Sequence, residues 1–272
     1  MAGSKLGVAA QESGTLAPAY RRKFMHAIGA SRFDLASLRQ VHSAQVFHVR
    51  RGIPGGLAFL PCGLPPRSQD VHNPAGDALL TDQAAILLSV RVADCLPVLI
   101  ADKARRAVAA VHAGWRGGVQ RIIEKSVGEM RRTFGCEPRD LVAALGPSIR
   151  ACCYEVGEEV VDMYRGRFVN SESFFHEALP SDSCAAIREK YPLLFLSSAP
   201  PGHVHQSGPK RNLDLIAVAR DQLLTAGLDP AKICVIEACT ACRTDLFYSY
   251  RKEGSQAGRS LAVIGIRSAV KP

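Results

Sequence analysis

The sequence predicts a single domain of mixed α/β architecture, and three observations carry that expectation. Two apolar runs, residues 95–101 and 107–111, are separated by a basic turn at Lys103, Arg105 and Arg106, the pattern of two buried strands joined by an exposed loop. Directly after them, Val119, Ile122, Ile123, Val127, Met130 and Phe134 recur at the helical period over 118–134. Further strand-like and helix-like segments alternate along the chain, with neither an internal repeat nor a low-complexity tract to divide it.

In order, residues 1–16 are small and polar and are expected to form a flexible N-terminus, with the domain running over 17–272. A helix is expected from 18 to about 29, followed by a turn over 30–34. Residues 38–49, LRQVHSAQVFHV, alternate as a strand or bent strand pair does, which sets His42 beside Gln40 and Ser43, with His48 further along. The stretch 53–73 is rich in Gly and Pro and reads as an extended loop or hairpin that can fold over a site. Residues 76–81 lead into a strand over 84–92, and Gly135 is placed to cap the helix over 118–134. A short strand over 141–145 and a helix over 157–165 follow, then an irregular stretch with short helical pieces over 168–209. Asn212 or Asp214 can cap a helix over 213–226, in which Leu215, Ala219 and Leu223 share a face and Gly227 is the stop signal. Strands over 233–238 and 261–266 bracket Phe247, Tyr248, Ser249, Tyr250 and Arg251.

With 272 residues, 47% hydrophobic and 22% charged, the chain has the composition of a soluble globular protein with a substantial core. The net charge of +9 is spread over scattered basic pairs such as Arg21-Arg22, Arg131-Arg132 and Lys210-Arg211, which favours small anionic ligands over nucleic acid. Nine cysteines without regular spacing do not make a disulfide framework and point to thiols kept reduced in a cytoplasm. Cys152-Cys153 are adjacent, and Cys239-Thr-Ala-Cys242 has the spacing of half a zinc knuckle or of a redox pair. No second such pair completes a structural zinc site, so packed thiols at a strand end are the simpler expectation. Lys5 and Glu12 flank only a short apolar run at 6–10, too brief for a signal core, and no run approaches the ~20 apolar residues that cross a bilayer.

Chemistry concentrates where the two apolar runs meet the helix. Cys95 opens the first run, His112 closes the second, and Gly114, Trp115, Arg116, Gly117 and Gly118 follow. A glycine-rich turn with an arginine at a helix N-terminus suits an anion such as phosphate; a tight turn with Trp115 packed on the core and Arg116 solvated fits the same residues. His42, Cys95 and His112 lie on separate segments, and one cysteine with two histidines would leave a fourth tetrahedral position open, the pattern of a catalytic zinc. No helical His-x-x-x-His spacing enforces their convergence.

Nine motifs occur together in one order: Gln40-Val-His42, Asp77-Ala-Leu-Leu-Thr81, Ala93-Asp-Cys95-Leu-Pro-Val, Val111-His112-Ala-Gly-Trp-Arg116-Gly, Gly146-Pro-Ser-Ile149, Cys153-Tyr-Glu-Val156, Leu213-Asp-Leu215, Cys239-Thr240 and Phe247-Tyr-Ser-Tyr-Arg251. From about Gln40 to the C-terminus the chain thereby resembles the YfiH-like, laccase-domain purine nucleoside phosphorylases, also labelled polyphenol oxidases or peptidoglycan editing factors. The resemblance implies a four-layer α-β-β-α sandwich with mixed sheets and a zinc ion held by His42, Cys95 and His112. It also implies phosphorolysis of adenosine, inosine and methylthioadenosine to free base and sugar 1-phosphate, with deamination of adenosine as a further activity. Cys95, His112 and Arg116 would carry the reaction, and Arg116 would bind phosphate together with the N-terminus of the helix over 118–134. Asp77 has three roles open to it: orienting a ligand, contacting the purine, or capping a turn. Arg251 can meet an anion or form a structural ion pair, and Cys153 and Cys239 are expected in the pocket wall or the core. The N-terminus departs from the family pattern: no copy of the Thr-Arg-x-Gly-Gly-x-Ser-type segment precedes Pro18.

Three rival readings use the same residues. A cysteine hydrolase or amidase acting on cell-wall precursors would take Cys95 as nucleophile and His112 as base. A copper phenol oxidase is less favoured, because multicopper centres use many histidines, generally as His-x-His, and only His203-Val-His205 among eight histidines has that form. A binding protein that keeps the fold without turnover is the third. The expected partners are purine nucleosides and phosphate, without nucleic acid or membrane, for a monomer or weak homo-oligomer.

Overall fold

The computed structural model describes residues 18–52, 55–63, 74–104, 106–177 and 211–267. Along the chain these form α1 (Pro18–Ala27), β1 (Asp34–Ala36), β2 (Val46–Arg51), β3 (Leu57–Pro61), β4 (Ala78–Thr81), β5 (Ile86–Val92), β6 (Leu96–Asp102), β7 (Ala107–Ala113), α2 (Trp115–Val119) and α3 (Ile122–Phe134). There follow β8 (Val142–Leu145), β9 (Glu155–Val156), α4 (Glu158–Arg165), β10 (Phe175–Glu177), β11 (Arg211–Leu213), α5 (Leu215–Thr225), β12 (Ile233–Val235), α6 (Tyr250–Glu253) and β13 (Ser260–Gly265). The fold is mixed α/β.

The largest sheet has seven strands in the order β12-β8-β6-β7-β4-β2-β3. The pairs β12–β8 and β2–β4 are parallel, whereas β6–β7, β4–β7, β6–β8 and β2–β3 are antiparallel. Every residue of β7 is buried. Its period-2 alternation separates two apolar layers: Ala109 and Val111 face Ile122, Ile123, Val127 and Met130 of α3 and Leu215, Ala219 and Leu223 of α5. Val108 and Ala110 point the other way, onto Ile86, Leu88 and Val90 of the three-stranded sheet β1-β5-β13. The far side of that small sheet meets Met25, at the end of α1, through Leu87 and Val263. Each buried Ile, Val or Met on α3 contributes about 1.5–3 kcal/mol, several times any difference in helix propensity, so packing on the sheet fixes this helix.

The expected helix over 118–134 is two helices. The chain turns between α2 and α3 at Arg121, which has φ of 60°. Glycine is required at 118 because a Cβ there would collide with the Tyr164 hydroxyl brought in by α4. The break is bridged by Gln222 of α5, which is fully buried: its Oε1 accepts from the Ile123 and Glu124 amides at 3.2 and 3.4 Å, and its Nε2 donates to the Gly118 carbonyl at 2.9 Å. The apolar period runs unbroken across the turn, which is why the pattern reads as one helix.

The expected strand over 38–49 begins only at Val46, because the chain first makes a tight turn at 41–43 with His42 at φ 58°. The segment 77–81 holds a strand of its own, β4, whose four residues are all buried and so carry no alternation. β3 lies within the stretch 53–73, whose residues 53–54 and 64–73 are outside the described ones, as are 1–17 and 178–210. The expected flexible N-terminus, most of the irregular stretch 168–209 and His203-Val-His205 therefore fall outside the described residues. Asp214 is the cap of α5, accepting from the Ile216 and Ala217 amides at 2.8 and 3.2 Å. Among the described residues no helix is long and apolar enough to cross a membrane.

Candidate active site

The antiparallel pair β6–β7 delivers two of the chemistry-bearing side chains. Pro97 pairs with His112 and Leu96 with Ala113, so Cys95, one residue before β6, lies opposite Gly114 just past β7. Only glycine fits there: a Cβ on Gly114 would stand 2.8 Å from Cys95 Sγ and 3.3 Å from His42 Cδ2. His42 arrives from the turn before β2. Its ring centroid is 4.9 Å from that of His112, and its Nε2 is 3.8 Å from Cys95 Sγ. One donor atom from each of His42, Cys95 and His112 lies within 4.8 Å of the others.

Asp77 holds this cluster together from behind. It is fully buried at the start of β4, and one oxygen is 2.9 Å from His112 Nδ1. The carboxylate also accepts from the backbone amides of Val41, His42 and Ser43 at 3.3, 3.0 and 2.6 Å, and from the Ser43 hydroxyl at 2.7 Å. Successive amides closing on one anion form a nest, which stabilises the left-handed backbone at His42. Burial alone would raise the Asp77 carboxyl, but hydrogen bonds from His112 and Ser43 outweigh it and hold the group below its ordinary value. Asp77 therefore fixes the His112 imidazole and caps the turn at 41–43. It does not line the cavity, so the expectation that it contacts a purine gives way: the side chain is sealed behind His112.

The cluster opens into a cavity of about 780 Å³. Arg116 and Arg251 both line it, as the sequence suggests. Two further arginines do so unannounced, Arg91 on β5 and Arg259 just before β13, and burial and the charge of Arg259 lower the Arg91 guanidinium. The arginine in Val90-Arg91-Val92 was the available signal, a charge placed inside an otherwise apolar strand. Trp115, Tyr154 and Tyr250 supply aromatic walls. Arg116 lies over Trp115 at 4.4 Å and Arg251 over Tyr154 at 5.3 Å, while Arg251 Nη1 donates to the Glu155 carbonyl at 2.9 Å. The Trp115 side chain is half-buried beside the cavity, and Arg116 is exposed to it.

The helix end that borders the cavity is that of α2, at Trp115 and Arg116, and not that of α3. The first amides of α3 are taken by Gln222, and that end is packed into the core at Ile122. Asp94, next to Cys95, ties the remaining wall in place: it accepts from the Thr240 hydroxyl at 2.6 Å and from the Arg251 amide at 2.6 Å.

The donor set tests well as a metal centre. With Nδ1 of His112 engaged by Asp77, its Nε2 is the nitrogen left for coordination, the arrangement in which a carboxylate fixes a ligating imidazole. Two imidazoles and one thiol suit zinc with an open position. In the absence of an ion the three groups polarise one another: hydrogen bonds from His112 and His42 overcome burial and lower the Cys95 thiol to about 6, and Asp77 and Cys95 together raise His112.

A second sulfur-rich cluster corrects the reading of the remaining cysteines. Cys152 and Cys153 do find the partner pair that the sequence lacked, because the turn after β8 is laid against the turn after β12. Sγ atoms of Cys152, Cys153, Cys239 and Cys242 all lie within 4.8 Å of one another. Of the two places expected for them, Cys239 lies in the core and Cys153 packs against it, and neither lines the cavity.

Residues 3–267 match the family described as multi-copper polyphenol oxidoreductase laccase. The chain is 34% identical over 230 residues, 84% of its own length and 70% of the relative's, to the protein named purine nucleoside phosphorylase YlmD of Geobacillus stearothermophilus. It is 30% identical over 237 residues, covering 87% of this chain and 77% of the relative, to the protein named adenosine deaminase RL5 from an unidentified prokaryote. The crystal structure of YlmD from Geobacillus stearothermophilus superposes with a TM-score of 0.67 at 30% identity, covering 91% of this chain and 79% of that one.

Proposed function

The chain belongs to the multi-copper polyphenol oxidoreductase laccase family, and from that premise we propose that it is a zinc-dependent purine nucleoside phosphorylase. Its substrates are adenosine, inosine and methylthioadenosine, which it cleaves with phosphate to free base and sugar 1-phosphate, and it deaminates adenosine as a side activity. The observation that carries the reading is the convergence of His42, Cys95 and His112 at the wall of a cavity ringed by arginines.

Phosphorolysis joins a phosphate oxygen to the ribose anomeric carbon as the bond from that carbon to the purine nitrogen breaks. The reaction requires a dianion held against a carbon that gains positive charge, with the departing base kept in place. Arg116 and Arg251 bind the phosphate, and the positive charge of Arg91 and Arg259 concentrates anions in the same cavity. The faces of Trp115, Tyr154 and Tyr250 accept the purine ring by stacking. A cavity of about 780 Å³ accommodates a nucleoside and phosphate together. His42, Cys95 and His112 would hold the zinc, which would supply Lewis acidity at the cavity wall. Zinc is favoured over copper because two imidazoles and one thiol at a cavity wall make the ligand set of a catalytic zinc centre.

The cysteine hydrolase reading draws on one specific observation, the alignment of Asp77, His112 and Cys95 with a lowered thiol. It leaves His42 without a role. A Cys-His-Asp relay needs one imidazole, whereas here a left-handed turn pinned by three amides brings a second imidazole to the sulfur. Eight described cysteines carry free thiols, which supports a reducing cytoplasm as the place of work.

Incubation with adenosine, with and without phosphate, followed by chromatography, tests the proposal. Adenine and ribose 1-phosphate formed only when phosphate is present are expected. Adenosine left uncleaved, with a cell-wall precursor hydrolysed in the presence of chelators and that turnover abolished by alkylation of Cys95, would establish the hydrolase instead.

A further inference from the structure

We propose that Cys152, Cys153, Cys239 and Cys242 bind a second zinc ion, structural in role, that staples together the two turns carrying one wall of the cavity. The site is distinct from the His42, Cys95 and His112 cluster and does not depend on the activity assigned to it.

The two cysteine pairs are far apart in sequence and meet because the backbone brings them together. Ser148 and Cys239 form a parallel bridge, and the Thr240 amide donates to the Ser148 carbonyl at 3.0 Å. Each pair sits on a tight turn. The Cys153 and Tyr154 amides both donate to the Arg150 carbonyl, at 2.8 and 3.0 Å, and the Arg243 amide donates to the Cys239 carbonyl at 3.0 Å. The sulfurs face inward: Cys242 Sγ is 3.7 Å from Cys152 Sγ and 3.4 Å from Cys153 Sγ, across sequence separations of 90 and 89 residues.

These distances select the occupant. Four sulfurs at about 2.3 Å from one zinc ion stand about 3.8 Å apart along each tetrahedral edge, close to what the cysteines already adopt. A four-iron cubane places each thiolate on a different iron with the cluster core between them, and such sulfurs stand much farther apart than a single-ion edge. Each thiol gives up its proton on coordination, so loading releases protons and becomes tighter as pH rises.

The position of the staple gives it a purpose. Tyr154, directly after Cys153, lines the cavity, and the segment that follows Cys242 supplies Tyr250 and Arg251. Thr240, between the two cysteines of the second pair, reaches Asp94 beside Cys95. An ion bridging the turns would hold the aromatic and cationic wall in register with the metal ligands of β6 and β7.

The test is metal stoichiometry on the full chain. Wild-type protein purified without chelator is expected to hold two zinc ions per chain, and the His42→Ala/His112→Ala double variant one. X-ray absorption of that variant is expected to show four sulfur neighbours at about 2.3 Å, and cobalt substitution the intense sulfur-to-metal absorption of a tetrathiolate. The Cys152→Ser/Cys242→Ser variant should lose one equivalent. Should that variant not fold, the double histidine variant still decides the matter. Absence of metal from it, or an intact mass showing the four cysteines joined as disulfides, would overturn the proposal. Phosphorolysis enters none of these readouts, so their outcome is separable from that of the assigned reaction.

Discussion

The Nδ1 atom of His112 lies 2.9 Å from an Asp77 oxygen, with the side chains 4% and 0% exposed, and this buried pair decides which imidazole nitrogen is free for a metal. The same carboxylate receives three consecutive amides, so Asp77 serves both histidines at once. An asparagine at 77 keeps the shape but turns an amide NH₂ toward groups that are themselves donors. Asp77→Asn is expected to weaken zinc binding by about 10- to 100-fold, the usual consequence of losing a partner behind a metal ligand. Competition against a chromophoric chelator measures this; unaltered affinity would mean that His112 is oriented by something else.

Gly114 faces Cys95 across the end of the β6–β7 ladder with no room for a methyl group. The nearest atom to an added Cβ would be Cys95 Sγ at 2.8 Å, an approach real Cβ atoms essentially never make. The sulfur or the strand end must move, and Cys95 or His112 moves with it. Gly114→Ala is therefore expected to lose most of its metal at the His42–Cys95–His112 centre, with overpacking that costs about 1–3 kcal/mol of stability. Metal content and a urea unfolding curve on one sample separate the two effects.

Arg116 is exposed to the cavity and held by its stack on Trp115, so removing the guanidinium leaves the core intact. A charge-assisted hydrogen bond to phosphate is worth about 1.5–3 kcal/mol, which converts to roughly 10- to 150-fold. Arg116→Ala should lower kcat/KM for phosphate by that factor while leaving the KM for the nucleoside nearly unchanged. Arg116→Lys should restore charge without the planar fork and recover only part of it. Equal losses for both substrates would place Arg116 outside the phosphate position.

Much of the architecture was legible from periodicity, because β5, β6, β7 and α5 are long enough to carry a pattern. β4 was not: its Ala78-Leu-Leu-Thr81 is four residues with both faces buried, and a run without alternation looks like a connector. The break between α2 and α3 left no trace either, since Arg121 turns the chain without interrupting the apolar spacing and the residue that satisfies the turn, Gln222, lies about a hundred positions away. At the site, residue types identified His42, Cys95 and His112, but the convergence of His42 depends on a left-handed turn that only the Asp77 nest explains. The four-cysteine cluster was hidden for the same reason. Each pair has an incomplete motif, and what completes it is a bridge between Ser148 and Cys239 that spacing does not encode.

The proton affinity of Cys95 gives a direct reading of how the site is wired when stripped of metal. Burial pushes a thiol up, as it does at Cys62, which is raised to about 11 by burial and by the charge of Glu129. At Cys95 the hydrogen bonds from His112 and His42 prevail and bring the thiol down to about 6. The thiolate is the form that reacts with iodoacetamide, so with a lowered value it persists above pH about 6 and is lost as pH falls through that point. Peptide-resolved mass spectrometry of chelated protein should show alkylation of Cys95 rising to half its plateau near pH 6, with Cys62 unreactive at pH 7. His112→Ala removes the first of the two donors and is expected to move the midpoint upward. Added zinc should protect Cys95 at every pH where it binds, because the lone pair that attacks the reagent is the one that coordinates the ion. A midpoint near the ordinary thiol value, insensitive to zinc, would show that the two histidines do not close on the sulfur.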